Sequence, residues 1–120
     1  RYAFRTPALR NVDLTGPWMH DGAYTTLEAA VRHYIDVPQA LAGYDVSQLP
    51  PDLQPTYQGD APTISAILAT LDSRVADPLD LSDGDITRIV GFLRSLTDPA
   101  ALDLSAQVPA SVPSGLPVGD

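Results

Sequence analysis

Residues 4–34, FRTPALRNVDLTGPWMHDGAYTTLEAAVRHY, hold the chain's one Trp, its one Met and both of its His, with Tyr34 and the arginines Arg5 and Arg10 among them. Trp18, Met19, His20, His33 and Tyr34 are the side chains here that could do chemistry. Imidazole, thioether and phenolate are metal ligands. Imidazole also moves protons near neutral pH, and guanidinium binds a carboxylate through two parallel hydrogen bonds. Each has a plainer alternative. A lone Met fills gaps in a core, and a Tyr on an apolar stripe is a core aromatic whose hydroxyl finds a backbone acceptor. His20 can hold its turn by hydrogen bonds, and Arg5 and Arg10 can be surface charge.

These residues need elements to place them. Residues 1–24 show no sustained period and include Pro7, Gly16, Pro17 and Gly22, so they read as an extended segment ending in turns, with Asp21-Gly22 turning into a helix. The helix is TTLEAAVRHYID. Thr25 with Glu28 three residues on has the capping-box pattern. Leu27, Ala30, Val31 and Tyr34 share one face, which turns Tyr34 inward, whereas His33 falls off the stripe and is expected to be exposed or bonded to a loop.

Residues 37–62, rich in Pro and Gly, read as a long surface connection, unusual enough in a small domain to suggest a functional loop or an insertion. In PTISAILATLDSRV, Ile64, Ile67, Leu68 and Leu71 recur at helical spacing behind Thr63 as the cap, and Pro78 bars continuation. The best-defined helix is LSDGDITRIVGFLRSLTDP. Ser82 caps it, Asp83 and Asp85 suit its positive end, and Ile86, Ile89, Val90, Leu93 and Leu96 form its stripe. From Ala100 onward Pro and Ser are too frequent for regular structure, which predicts an extended wrap. The fold class expected is all-α, with about three helices tied by long ordered loops.

Bulk properties narrow the function classes. Fifteen acids, of which only Glu28 is Glu, stand against seven Arg and no Lys, a net charge of −8. Phosphate contact needs a basic face, so nucleic acid is excluded as the expected partner. There is no Cys for thiol chemistry or disulfides. No run approaches the roughly 18 apolar residues of a membrane span, and RYAFRTPALR lacks the apolar stretch of a signal peptide.

The stretch FRTPALRNVDLTGPWMHDGAYTTLEAAVRHY followed by LSDGDITRIVGFLRSLTD resembles the C-terminal haem domain of the bacterial di-haem cytochrome c peroxidase family, which includes the MauG-type enzymes. The resemblance is strong over residues 4–36 and 79–98 and weak elsewhere, although VPSGLPV is also similar to some members. It implies a partial cytochrome c-like domain over residues 1–98 and an extended tail over 99–120. It implies a periplasmic oxidoreductase that reduces hydrogen peroxide with electrons relayed between two c-type haems. The Cys-x-x-Cys-His motif that attaches each haem is absent, so covalent attachment is expected outside this chain, on an N-terminal portion or a separate chain. A haem-free structural or electron-transfer subunit that keeps the fold is the alternative.

The resemblance also assigns residues. Tyr34 matches the distal axial ligand, which is Met in the peroxidases and Tyr in MauG-type members; an anionic phenolate favours ferric and higher-valent iron, a thioether ferrous iron. Met19 is the second choice of ligand. His20 matches a His near the haem and the domain interface, and Trp18 could pass electrons between haems or simply pack. Arg5 and Arg10 match positions suited to haem propionates. Thr15 and Pro17 match positions whose backbone carbonyls bind a structural calcium between domains. The remaining partner implied is a redox protein or a small electron donor.

Overall fold

A computed structural model describes residues 6–109 and 111–115. It holds four α-helices, α1 (Leu27–Ile35), α2 (Val37–Ala42), α3 (Ala61–Leu68) and α4 (Asp83–Ser95), joined by short 3-10 turns, with no strand among the described residues. The chain is therefore all-α, as its periodicity predicts.

α1 starts one residue later than the Thr25–Glu28 pattern suggests. Thr26 is the N-cap, its hydroxyl accepting from the Ala29 amide at 3.1 Å, and Glu28 instead pairs with Arg32, which also reaches Asp83 at the start of α4. α4 forms as expected. The Ser82 hydroxyl accepts from the Asp85 amide and the Asp85 carboxylate accepts from the Ser82 amide, a complete capping box.

Two expectations in the middle of the chain need correction. The connection 37–62 is not all loop, because α2 begins directly after α1. Asp36 ends one helix and caps the next, accepting from the Gln39 amide, and Pro38 sits in the first turn where its missing N–H costs nothing. α3 is capped by Asp60 rather than Thr63; the Thr63 amide and hydroxyl both donate to the Asp60 carboxylate. α3 also stops at Leu68, which leaves Leu71 beyond it. The tail carries 3-10 turns at Pro99–Leu102 and Ser105–Gln107 between extended residues.

The core is small. Leu27 of α1 meets Ile86 and Val90 of α4, and Val12, Trp18, Val31, Ile35 and Leu93 pack around them. Two ties hold the rest to this helix pair. Asn11 adopts a left-handed conformation at φ 58°, its amide donating to the Leu96 carbonyl and its side-chain oxygen accepting from the Asp98 amide at 2.7 Å; Asn tolerates this region better than most residues. The Leu79 amide donates to the Ile35 carbonyl at 2.8 Å. The N-terminal segment is thereby fixed across the end of α4, which brings its turn against α1.

Candidate functional site

The turn before α1 is built from Gly16 to Tyr24. Trp18 and Tyr24 form an isolated antiparallel bridge with amide-to-carbonyl distances of 2.8 and 3.3 Å. The Trp18 indole N–H donates to the Val12 carbonyl at 2.9 Å. Inside the bridge Met19 takes φ 72° and Gly22 φ 69°. Gly22 is required there twice over, since a Cβ would be strained in that region and would stand 3.0 Å from the Pro17 ring. A Cβ on Gly16 would stand 2.9 Å from carbons of the Trp18 ring, closer than such contacts allow. Small residues thus let the loop close over the indole.

This loop, the exposed half of α1 and Leu93 of α4 enclose an open cleft of about 620 Å³. Thr15, Pro17, Trp18, Met19, His20 and Tyr34 all line it, with Leu27, Ala30 and Val31 forming its floor. Its walls are mainly apolar, and its polar groups are few: the Tyr34 phenol, the His20 imidazole and the Thr15 hydroxyl, which donates to the Val12 carbonyl. The Tyr34 hydroxyl donates to the Met19 sulfur at 3.8 Å, so the two residues expected to compete as ligands touch each other.

The inward orientation expected of Tyr34 does not hold. It is 55% exposed, because the apolar face of α1 is wider than the core: Leu27 is covered, with Val31 and Ile35 packed beside it, whereas Tyr34, at the helix's last turn, faces the cleft. Arg10 is not in the cleft. Its guanidinium bonds the Asp98 carboxylate at 3.0 Å. Arg5 lies outside the described residues. Among the described residues no group of three His, Cys, Asp or Glu could hold a metal ion.

His33 is bonded to a loop residue. Its Nδ1 lies 3.0 Å from the Tyr24 hydroxyl, and burial holds its pKa below the usual 6.5 although Asp21 pulls the other way. Tyr24 is buried at 7% exposure, and its pKa is raised first by that burial and then by Tyr44, Asp21 and Tyr57. Tyr44 donates to the Ala23 carbonyl. Sequence reasoning missed this group, since no local spacing links residues 24, 44 and 57.

The chain matches parts of curated proteins. It is 57% identical over 35 residues to the methylamine utilization protein MauG of Methylorubrum extorquens, covering 29% of this chain and 10% of that protein. It is 33% identical over 95 residues to MauG of Paracoccus denitrificans, covering 79% of this chain and 23% of the relative. It is 55% identical over 31 residues to the cytochrome-c peroxidase IdrP1 of Denitromonas iodatirespirans, covering 26% and 8%. No protein-family model matches, and no solved structure does. These local matches suggest MauG and cytochrome-c peroxidase relatives. The chain spans a quarter or less of the length of each.

Proposed function

We propose that this chain forms one wall of a haem pocket in a di-haem oxidoreductase of the cytochrome c peroxidase or MauG kind, acting on hydrogen peroxide in the periplasm. One observation supports the reading most: the residues that the resemblance selects for the haem side, the consecutive Trp18, Met19 and His20 of the turn and Tyr34 of α1, line one apolar cleft. The residues fit such a group. Mainly apolar walls suit a large apolar ligand, and the donors at the mouth, a phenol and a thioether, are types that bind haem iron.

The haem, when bound, supplies the redox chemistry of peroxide reduction. The roles left to this chain follow from its side chains. Tyr34 would hold the iron through its phenol oxygen, which stands at the cleft beside the Met19 sulfur, and Met19 is the second choice. A phenolate ligand favours oxidised iron and a low potential, which fits an enzyme that holds oxidising equivalents better than an electron-entry haem. Trp18 walls the pocket and is proposed as a stepping point for electrons. His20 at the rim can hold or deliver a proton.

Arg10 spends one guanidinium nitrogen on Asp98 and keeps other donors for a propionate, although it stands outside the cleft lining; Arg5 remains a proposal from sequence. Calcium would rest on the carbonyls of Thr15 and Pro17 with further ligands from other polypeptide. Haem attachment, in a chain without Cys, falls to a haem-bearing portion or partner chain, and electrons would come from a redox protein or small donor. A haem-stained gel with intact mass of the full-length protein tests the reading. Covalent haem in the assembly is the expected result; haem nowhere would leave a haem-free structural subunit.

A further inference from the structure

Five aromatic rings make an unbroken series from the cleft to the opposite side of α1. The Tyr34 and His33 rings meet edge to face with centroids 5.4 Å apart. His33 and Tyr24 follow at 5.5 Å, Tyr24 and Tyr44 at 5.6 Å and 90°, and Tyr44 and Tyr57 at 5.4 Å. Tyr24 inside the series is buried at 7% exposure, Tyr34 at one end is 55% exposed, and Tyr57 at the other is half-buried. Gly59 packs directly against the Tyr57 ring, leaving no room for a side chain there, and Tyr44 is fixed by its bond to the Ala23 carbonyl. The inner links are thus held, Tyr24 by His33 and Tyr44 by the Ala23 carbonyl.

We propose that Tyr24 is a redox-active relay residue, carrying single electrons between the cleft and a donor that contacts the Tyr44–Tyr57 face. The proposal rests on the haem reading for its natural oxidant: a one-electron oxidant, the haem at the cleft, which would receive its oxidising equivalents from the reduction of hydrogen peroxide to water at the other haem. Phenol oxidation releases a proton along with the electron, and a buried phenol can lose it only to a partner already in place. Tyr24 has one, since its hydroxyl is 3.0 Å from His33 Nδ1. In the tautomer with its proton on Nε2, His33 accepts that bond.

The step balances. Tyr24 gives one electron to the oxidant and its hydroxyl proton to His33, leaving a neutral phenoxyl radical beside an imidazolium. An electron from the external one-electron donor then arrives through the Tyr57 and Tyr44 rings, the proton returns from His33, and both residues regain their first state. Ring centroids 5.4–5.6 Å apart keep each step short; three of the four pairs meet edge to face, a geometry aromatic pairs prefer, and Tyr44 and Tyr57 are tilted at 36°.

The experiment uses the full-length protein and two oxidants. Flash-quench photo-oxidation by a ruthenium tris-bipyridine complex needs no haem, and electron paramagnetic resonance after freezing reports the radical. The wild type is expected to give a tyrosyl signal that Tyr24→Phe, which keeps the ring and its packing, eliminates; Tyr57→Phe is expected to keep the signal and slow its decay by added donor. A signal unchanged in Tyr24→Phe, or a decay unchanged in Tyr57→Phe, overturns the relay. Hydrogen peroxide is the second oxidant. The Tyr24 radical with both oxidants supports the relay and the haem reading together; a radical with the ruthenium complex alone supports the relay and overturns its haem-derived oxidant.

Discussion

Replacing Leu27 by Ala removes three carbon atoms from the boundary between the core and the cleft. Leu27 is 5% exposed and belongs to the cluster with Ile86 and Val90, yet it also floors the cleft. At about 0.8 kcal/mol for each buried carbon, the lost transfer free energy is about 2.4 kcal/mol. A sealed site would add a cavity term and bring the cost toward the upper part of the roughly 2–5 kcal/mol range for such truncations. Here the space left behind opens to solvent on the cleft side, so the cavity term is small. The expected loss is therefore about 2–3 kcal/mol, a large share of the stability of so small a domain. Urea unfolding followed by circular dichroism reads it as a midpoint lowered by about 1–2 M. A loss under about 1 kcal/mol would mean that Leu27 does not join α1 to α4, and one above about 4 kcal/mol would mean that the cleft is closed over it.

Other expectations follow from the same contacts. Ser82→Ala removes the hydroxyl of the α4 capping box and should cost about 1–2 kcal/mol in a denaturation series; a change within a few tenths would show that the box does not hold the helix start. Gly22→Ala should cost about 1–2 kcal/mol from the left-handed backbone alone, with contact against Pro17 in addition, and a neutral effect on thermal unfolding would refute the turn geometry. Acid should destabilise the fold. The Asp60, Asp85 and Asp98 carboxyls are held below their usual 3.8, by Thr63 and by Ser82 for the first two and by the Ala100 amide and then Arg10 for the third. The unfolded chain therefore takes up protons first, so stability is complete above the ordinary carboxylate range and declines as pH falls through it. Burial of His33 acts in the same direction at higher pH, since the unfolded chain protonates it first below about 6.5. At physiological salt, melting temperatures are expected to decline slightly below about pH 6.5 and more steeply below about pH 4, and a rise on acidification would contradict the assignment.

The parts legible in the sequence are those written in local code. α4 announces itself by Ser82, two first-turn acids and an unbroken apolar stripe, and the structure keeps all of it. α1 is legible as a helix, although Thr26 and not Thr25 receives the Ala29 amide, a one-residue ambiguity inherent in a Thr-Thr pair. α2 was hidden because Pro38 and Gly43 read as loop residues, when Pro in a first turn and Gly just past an end are equally the punctuation of a short helix. Asp60 was overlooked as the cap of α3 for a related reason: Pro62 reads as a break but occupies the helix's first turn.

Tyr34 illustrates a different limit. Periodicity identifies the apolar face of α1 but not how much of that face another element covers, and here α4 covers only part. The grouping of Trp18, Met19, His20 and Tyr34 at one cleft depends on the Trp18–Tyr24 bridge and on the Asn11 ties to the end of α4. Those contacts join residues that no local spacing connects. The Tyr24–Tyr44–Tyr57 series was illegible for the same reason.

Absorption spectroscopy of the haem-loaded full-length protein, wild type beside Tyr34→Phe, tests most directly whether the α1 phenol binds iron. The wild type should show a tyrosinate-to-iron charge-transfer band that the variant lacks, with the reduction potential of that haem shifted upward by loss of the anionic ligand. Identical spectra from the two proteins would contradict the assignment of Tyr34.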